Sequence, residues 1–196
     1  DADGTVIYDW AAEFGQAIPA EIDFDLDNAN PVAGAVRKKC NEVRRSILKS
    51  LKGLGGNGVS IMALVGDAFW DDLTSHPEVE KTFLNTQQAS DLRDGFGSAW
   101  TKFNYGGITW INYRGSDDGG VGIGTDKASF FPVGSGIFQM ALSPGESFDF
   151  VNTPGRDVYS AVVTDKDRNM WADVEVYSYP LPVCTMPSAL HRGKRT

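Results

Sequence analysis

The chain has 196 residues, 41% hydrophobic and 22% charged, enough to bury a real core in one large domain or two small ones. Apolar runs such as Ile61–Val65 are far too short to span a bilayer, and the acidic opening from Asp1 lacks the apolar core of a signal peptide. The net charge of −8 is unevenly placed: seven basic residues against only Glu42 make 37–52 a +6 segment and leave −14 elsewhere, which argues against whole-surface nucleic-acid binding.

Thr5–Tyr8 and Glu21–Leu26 read as strands. The second alternates strictly, with Ile22, Phe24 and Leu26 on one face and Asp23, Asp25 and Asp27 on the other. Asn30 is then suited to cap a helix and Pro31 to its first position. That helix is expected over Pro31–Lys52, with Val32, Val36, Cys40, Val43, Ile47 and Leu51 as one apolar stripe and Lys38, Arg45, Lys49 and Lys52 on another face. Gly53, Gly55, Gly56 and Gly58 end it. Val59–Val65 reads as a central buried strand. Gly66-Asp67 opens a short helix to about Thr74, with Asp67 as its cap. Ser75-His76-Pro77-Glu78 has capping-box spacing for the next helix, whose apolar face holds Val79, Phe83 and Leu84.

Leu92–Phe103 has helical aromatic spacing broken by Gly95 and Gly97. Ile108–Tyr113 is a strand, and Gly115–Gly124 a glycine-rich excursion. Phe130-Phe131-Pro132, Phe138–Leu142 and Val174–Tyr179 are further strands. Val158–Val163 fits strand or helix, and periodicity does not decide between them. Strands come first, helices fill the first half, and the end is β-rich. That order is α+β, not the βαβ alternation of a doubly wound sheet.

The candidate chemistries are weak. Gly53–Gly58 follows a helix and lacks the Gly-Lys-Ser/Thr ending of a phosphate loop. Asp117, Asp118 and Asp126 lack EF-hand spacing. Asp67, Asp71 and Asp72 suit a helix start better than acid–base catalysis. The histidines are His76, in a helix-start phrase, and His191, in a tail that reads as frayed; there is no Gly-x-Ser-x-Gly elbow. Cys40 and Cys184 make no disulfide framework and read as free, buried thiols. With Cys and His at no ligand spacing, no metal and no cofactor is expected, and no enzymatic activity.

From Asp67 onward the order of phrases resembles the major capsid proteins of tailed phages of the lambda E type. The phrases are Phe69-Trp70-Asp71-Asp72-Leu73, then His76-Pro77-Glu78-Val79, then the aromatic strand ending at Tyr113. Lys127-Ala128 with Phe131-Pro132-Val133-Gly134 follows, then Ser143-Pro144-Gly145-Glu146, Asn152-Thr153-Pro154-Gly155, and Pro182-Val183-Cys184-Thr185-Met186-Pro187. Their collinearity over about two thirds of the chain carries the resemblance.

The resemblance implies the Hong Kong 97-type capsid fold. Residues 1–30 would be peripheral-domain strands, 31–141 the axial domain, and 142–196 return strands and tail. The N-terminal arm and extended loop of the pattern are missing, so Asp1, which is not Met, reads as the start of a fragment or processed form. The implied role is a structural protein that self-assembles through pentamers and hexamers into the phage head around DNA. It would reside in the virion and, during assembly, in the host bacterial cytoplasm. Expected partners are copies of itself, with scaffold and decoration proteins, at most non-specific DNA contact, and no membrane. Lys38, Arg45, Lys49 and Lys52 are the candidate subunit-interface residues. The alternative is a non-catalytic docking module of another virion or tail component. Five Trp and eleven Phe supply the buried area that a rigid shell subunit needs.

Overall fold

The computed structural model describes residues 8–28, 30–54, 56–84, 102–113, 122–168 and 170–196, without the side chains of Asn57, Phe83 and Leu84. Several expectations fall outside this set: the strand over residues 5–7, most of Leu92–Phe103, most of Gly115–Gly124 with Asp117 and Asp118, and the packing of Phe83 and Leu84. The described chain forms two compact units, residues 1–136 with 186–196, and residues 137–185.

The larger unit is built on a six-stranded mixed sheet. Its strands are β1 (Ile22–Asp23), β2 (Ser60–Val65), β3 (Lys102–Tyr105), β4 (Ile108–Asn112), β5 (Lys127–Val133) and β10 (His191–Lys194), in the order β1-β10-β5-β2-β4-β3. β1 runs parallel to β10, and β2 parallel to β4; the other pairs are antiparallel. A parallel pair needs a long crossover. Between β2 and β4 the chain makes α3 (Asp67–Ser75) and α4 (Pro77–Leu84). Burial alternates along the strands, so one sheet face carries Ile61, Ala63, Val65, Ile108, Trp110, Ala128 and Phe130 into the core. β2 is central but buried on that face only. Phe24, Phe69, Trp110 and Phe130 lie with ring centroids 5.4–5.9 Å apart, in stacked and edge-on pairs.

The compact units divide at 136/137 and 185/186. The reason is the sheet itself: β1 and β10, from opposite ends of the chain, pair with each other and complete it. The tail expected to be frayed is therefore a strand, and its Arg195 ion-pairs with Asp72 at 2.9 Å. The second strand shortens to Ile22–Asp23 because Asp25 turns the chain at φ 51°. Phe24 and Leu26 nevertheless stay buried as the alternation requires, and their N–H groups donate to the Lys194 and Arg195 carbonyls.

The first helix, α1 (Trp10–Glu13), is a single turn capped by Asp9, which the sequence reading missed. The long helix, α2 (Ala35–Ser50), starts four residues later than expected. Gly34 is its N-cap, in the left-handed region at φ 84°, where glycine escapes the Cβ penalty. Val32 lies before the helix and is exposed, whereas Val36, Cys40, Val43, Ile47 and Leu51 are buried as the stripe predicts. Gly66, not Asp67, is the N-cap of α3; Asp67 instead accepts a hydrogen bond from Asn112 Nδ2 at 3.0 Å.

The smaller unit contains two antiparallel ribbons. β6 (Phe138–Leu142) pairs with β9 (Pro180–Cys184), and β7 (Tyr159–Thr164) pairs with β8 (Ala172–Tyr177). The segment undecided between strand and helix is therefore the strand β7. Tyr159, Tyr177, Tyr179 and Phe150 pack together. The Tyr159 hydroxyl accepts from the Arg156 N–H and donates to the Ser143 carbonyl, tying the turns to the ribbon.

Candidate subunit-interface surfaces

The basic residues singled out in the sequence are exposed. Lys38, Arg45 and Lys49 lie on α2 at spacings of seven and four, which places them on one flank. The buried stripe of Val36, Cys40, Val43 and Ile47 occupies the opposite side. Lys52 falls just past the helix, at φ 49°, so it extends the basic region without belonging to the helical row. None of the four forms a side-chain ion pair with another described residue. Glu42 interrupts the flank, and Leu48 and Leu54 stand exposed beside it.

The inner side of α2 is held by specific chemistry. Glu78, at the start of α4, receives the Val36 N–H at 3.2 Å and the Arg37 N–H at 3.3 Å, and the Tyr105 hydroxyl at 2.7 Å. A carboxylate there satisfies donors that a helix start leaves open and complements its dipole. The expected capping box does not form: Ser75 turns back to the Asp71 carbonyl, and His76 Nδ1 accepts the Glu78 N–H at 3.2 Å. Glu78 is thus freed to tie α2, α4 and β3 together. Gly106 lets β3 approach the same helix, since a Cβ there would sit 2.6 Å from Cys40 Cβ.

The residues weighed for chemistry have structural partners. Burial, with Glu78 adding to it, pushes the Cys40 thiol up to about 12; it is a packing residue and too weakly ionised at neutral pH to act as a nucleophile. Cys184 is likewise outside any disulfide but only half-buried, because β9 belongs to a thin ribbon. His191 is 2% exposed, and its Nε2 lies 2.7 Å from Ser46 Oγ on α2. Among the described residues no group of His, Cys, Asp or Glu could hold a metal. No described helix is long and apolar enough to cross a membrane.

Composition alone did not locate a second surface. Twelve of the nineteen exposed large apolar side chains among the described residues lie in 137–185. Phe148 is 94% exposed. On β7 and β8 the register places Ser160 opposite Val176, Val162 opposite Val174, and Thr164 opposite Ala172. All six are exposed and none is charged. A two-stranded ribbon is marginal by itself, and clustered exposed apolar side chains mark interaction surfaces.

Comparison with known proteins matches this picture. The family described as phage major capsid protein E matches residues 1–195. The chain is 29% identical over 220 aligned positions to the major capsid protein of Salmonella phage Felix O1, covering 97% of this chain and 58% of that protein. It is 27% identical to the major capsid protein of Pseudomonas phage KPP10, covering 97% and 57% respectively. The chain thus spans a little under three fifths of these relatives' length. A crystal structure described as a capsid protein of a prophage, from E. coli CFT073, superposes with a TM-score of 0.53 at 12% identity, over 89% of this chain and 52% of that one.

Proposed function

The chain belongs to the phage major capsid protein E family, and from that premise we propose that its parent protein self-assembles through pentamers and hexamers into the icosahedral head that encloses phage DNA. The observation that carries this reading, beyond membership itself, is the concentration of exposed apolar side chains in the 137–185 unit. A subunit destined for a shell leaves such surface open until its neighbours cover it. The role is structural, and no catalytic chemistry, cofactor or metal is assigned to it.

The proposal includes a Hong Kong 97-type fold. The axial domain expected over 31–141 is taken to be centred on the six-stranded sheet, with both chain ends completing that sheet. It also includes the basic flank of Lys38, Arg45, Lys49 and Lys52 as a subunit contact. Rings require head-to-tail contacts between two different surfaces. A basic flank on a chain whose remainder is −14 supplies such a pair. Scaffold and decoration proteins, loose phosphate contact with packaged DNA and a virion location, after assembly in the host bacterial cytoplasm, complete the proposal.

The test is electron microscopy of the full-length parent, expressed alone and with any scaffold encoded beside it. Closed shells or ring-shaped capsomers are the expected result. A small monodisperse particle under both conditions would sink the shell reading in favour of a docking module.

A further inference from the structure

We propose that the basic flank of α2 on one copy of this chain meets the acidic side of β8 on the next, with Arg45 and Lys49 paired to Asp173 and Glu175. This pairing rests on the shell reading above and deepens it by naming the surface that the flank meets.

Asp173 and Glu175 lie on one face of the β7–β8 ribbon, since residues two apart on a strand share a side. Both are exposed. The register sets them opposite Val163 and Ala161, so neither has a cation across the ribbon. Neither joins a side-chain ion pair with another described residue. Several other carboxylates are engaged: Glu21 by Lys127, Asp23 by Lys194 and Asp72 by Arg195, while Asp9 caps α1 and Glu78 holds the start of α2. Around the pair, residues 137–185 hold seven acidic side chains against three basic ones, so the surroundings also favour a cationic partner.

Charge and spacing select that partner. Arg45 and Lys49 are one helical turn apart, about 6 Å along α2. Asp173 and Glu175 are about 7 Å apart along β8. The two pairs match in sign and in separation, and each is left without an ion pair by its own described chain. Flank against flank, or acidic side against acidic side, would oppose like charges, so neither surface pairs with itself. A contact between two different surfaces of one chain repeats head to tail and closes into rings, the arrangement that pentamers and hexamers need. Exposed ion pairs contribute little holding energy; they act on orientation and on the rate of encounter. The pairing therefore sets the register of a larger subunit contact.

The test uses the full-length parent in four forms: unsubstituted, Arg45→Glu with Lys49→Glu, Asp173→Lys with Glu175→Lys, and all four changes in one chain. Each two-residue reversal should lower particle yield about tenfold at low salt, because it places like charges together, with an unchanged melt of the unassembled chain. The four-residue chain, its charges exchanged, should return to within about twofold of the parent. A mixture of the two-residue variants should form capsomers that neither forms alone, which a pairing within one chain would not produce. In particles of the unsubstituted parent, zero-length carbodiimide coupling should join Lys49 to Asp173 or Glu175, a product absent before assembly. That coupling needs no substitution, so it decides the pairing even where a reversal lowers the melt. No such product in particles overturns the pairing. Parent-like assembly of Asp173→Lys with Glu175→Lys does so too, and leaves the flank to another acidic partner, such as the part of the parent outside this sequence. Failure of the unsubstituted parent to form shells or capsomers removes the shell reading itself, and this inference with it.

Discussion

His191 shows how a single position is decided by what lies beside it in space. In the sequence it belongs to a basic tail; in the fold it is a buried member of β10, facing Ser46 of α2. Burial holds its imidazole below the usual histidine range. The folded state therefore binds this proton less readily than the unfolded chain does. The associated stability is complete above about pH 6.5, the ordinary histidine value, and is lost as pH falls through the lowered folded value. Urea unfolding should show the midpoint falling as the pH is lowered from 7.5 to 5.5. His191→Gln keeps a polar partner for Ser46 but cannot titrate, so its profile should be flatter over that range. An equally steep profile would assign the loss to other groups.

Elements are fixed at their ends by residues far away in sequence. The stripe on α2 was legible because apolar residues three and four apart fall on one face. Its start was not, because the carboxylate that holds Val36 and Arg37 comes from Glu78, more than forty positions on. Asn30 and Pro31 carry a valid local signal, yet Gly34 and Glu78 together provide the cap that is used. Glu78→Ala should destabilise the chain by about 2 kcal/mol, a typical loss for hydrogen bonds to a charged acceptor. Glu78→Gln, which keeps an acceptor oxygen but not the charge, should cost roughly half of that by the same reasoning. Equilibrium unfolding of the two variants checks both. Equal losses would show that charge plays the whole part.

At the scale of the whole molecule, surfaces matter more than cores. The basic flank is exposed and lies opposite the buried stripe of α2, so its charges can be reversed without touching the core. The triple change Lys38→Glu, Arg45→Glu and Lys49→Glu should alter monomer stability by no more than about 1 kcal/mol, since exposed substitutions usually cost little. Some of that arises from the new neighbours of Glu42 along the helix. Assembly of the parent should nevertheless be blocked, as read by particle yield in electron microscopy. Normal shells from this variant would remove the flank from the subunit interface.

The sequence by itself determined the α+β class, the apolar stripe of α2 and the strands β2, β4, β5, β6 and β8, because the helical period of the stripe and the short apolar, aromatic or β-branched runs of the strands are local signals along the chain. Its collinear phrases also pointed to the capsid family that the comparison then showed. Tertiary structure decided the rest. It made β10 from a segment that reads as a tail, because β5 and β1 offer that strand its hydrogen-bonding partners. It settled β7 as a strand by pairing it with β8. It turned scattered valines into one exposed face, since which side of a ribbon faces outward depends on register and on what covers the other side. Pairing partners, caps from distant residues and the faces left open are properties of space, and no window along the chain contains them.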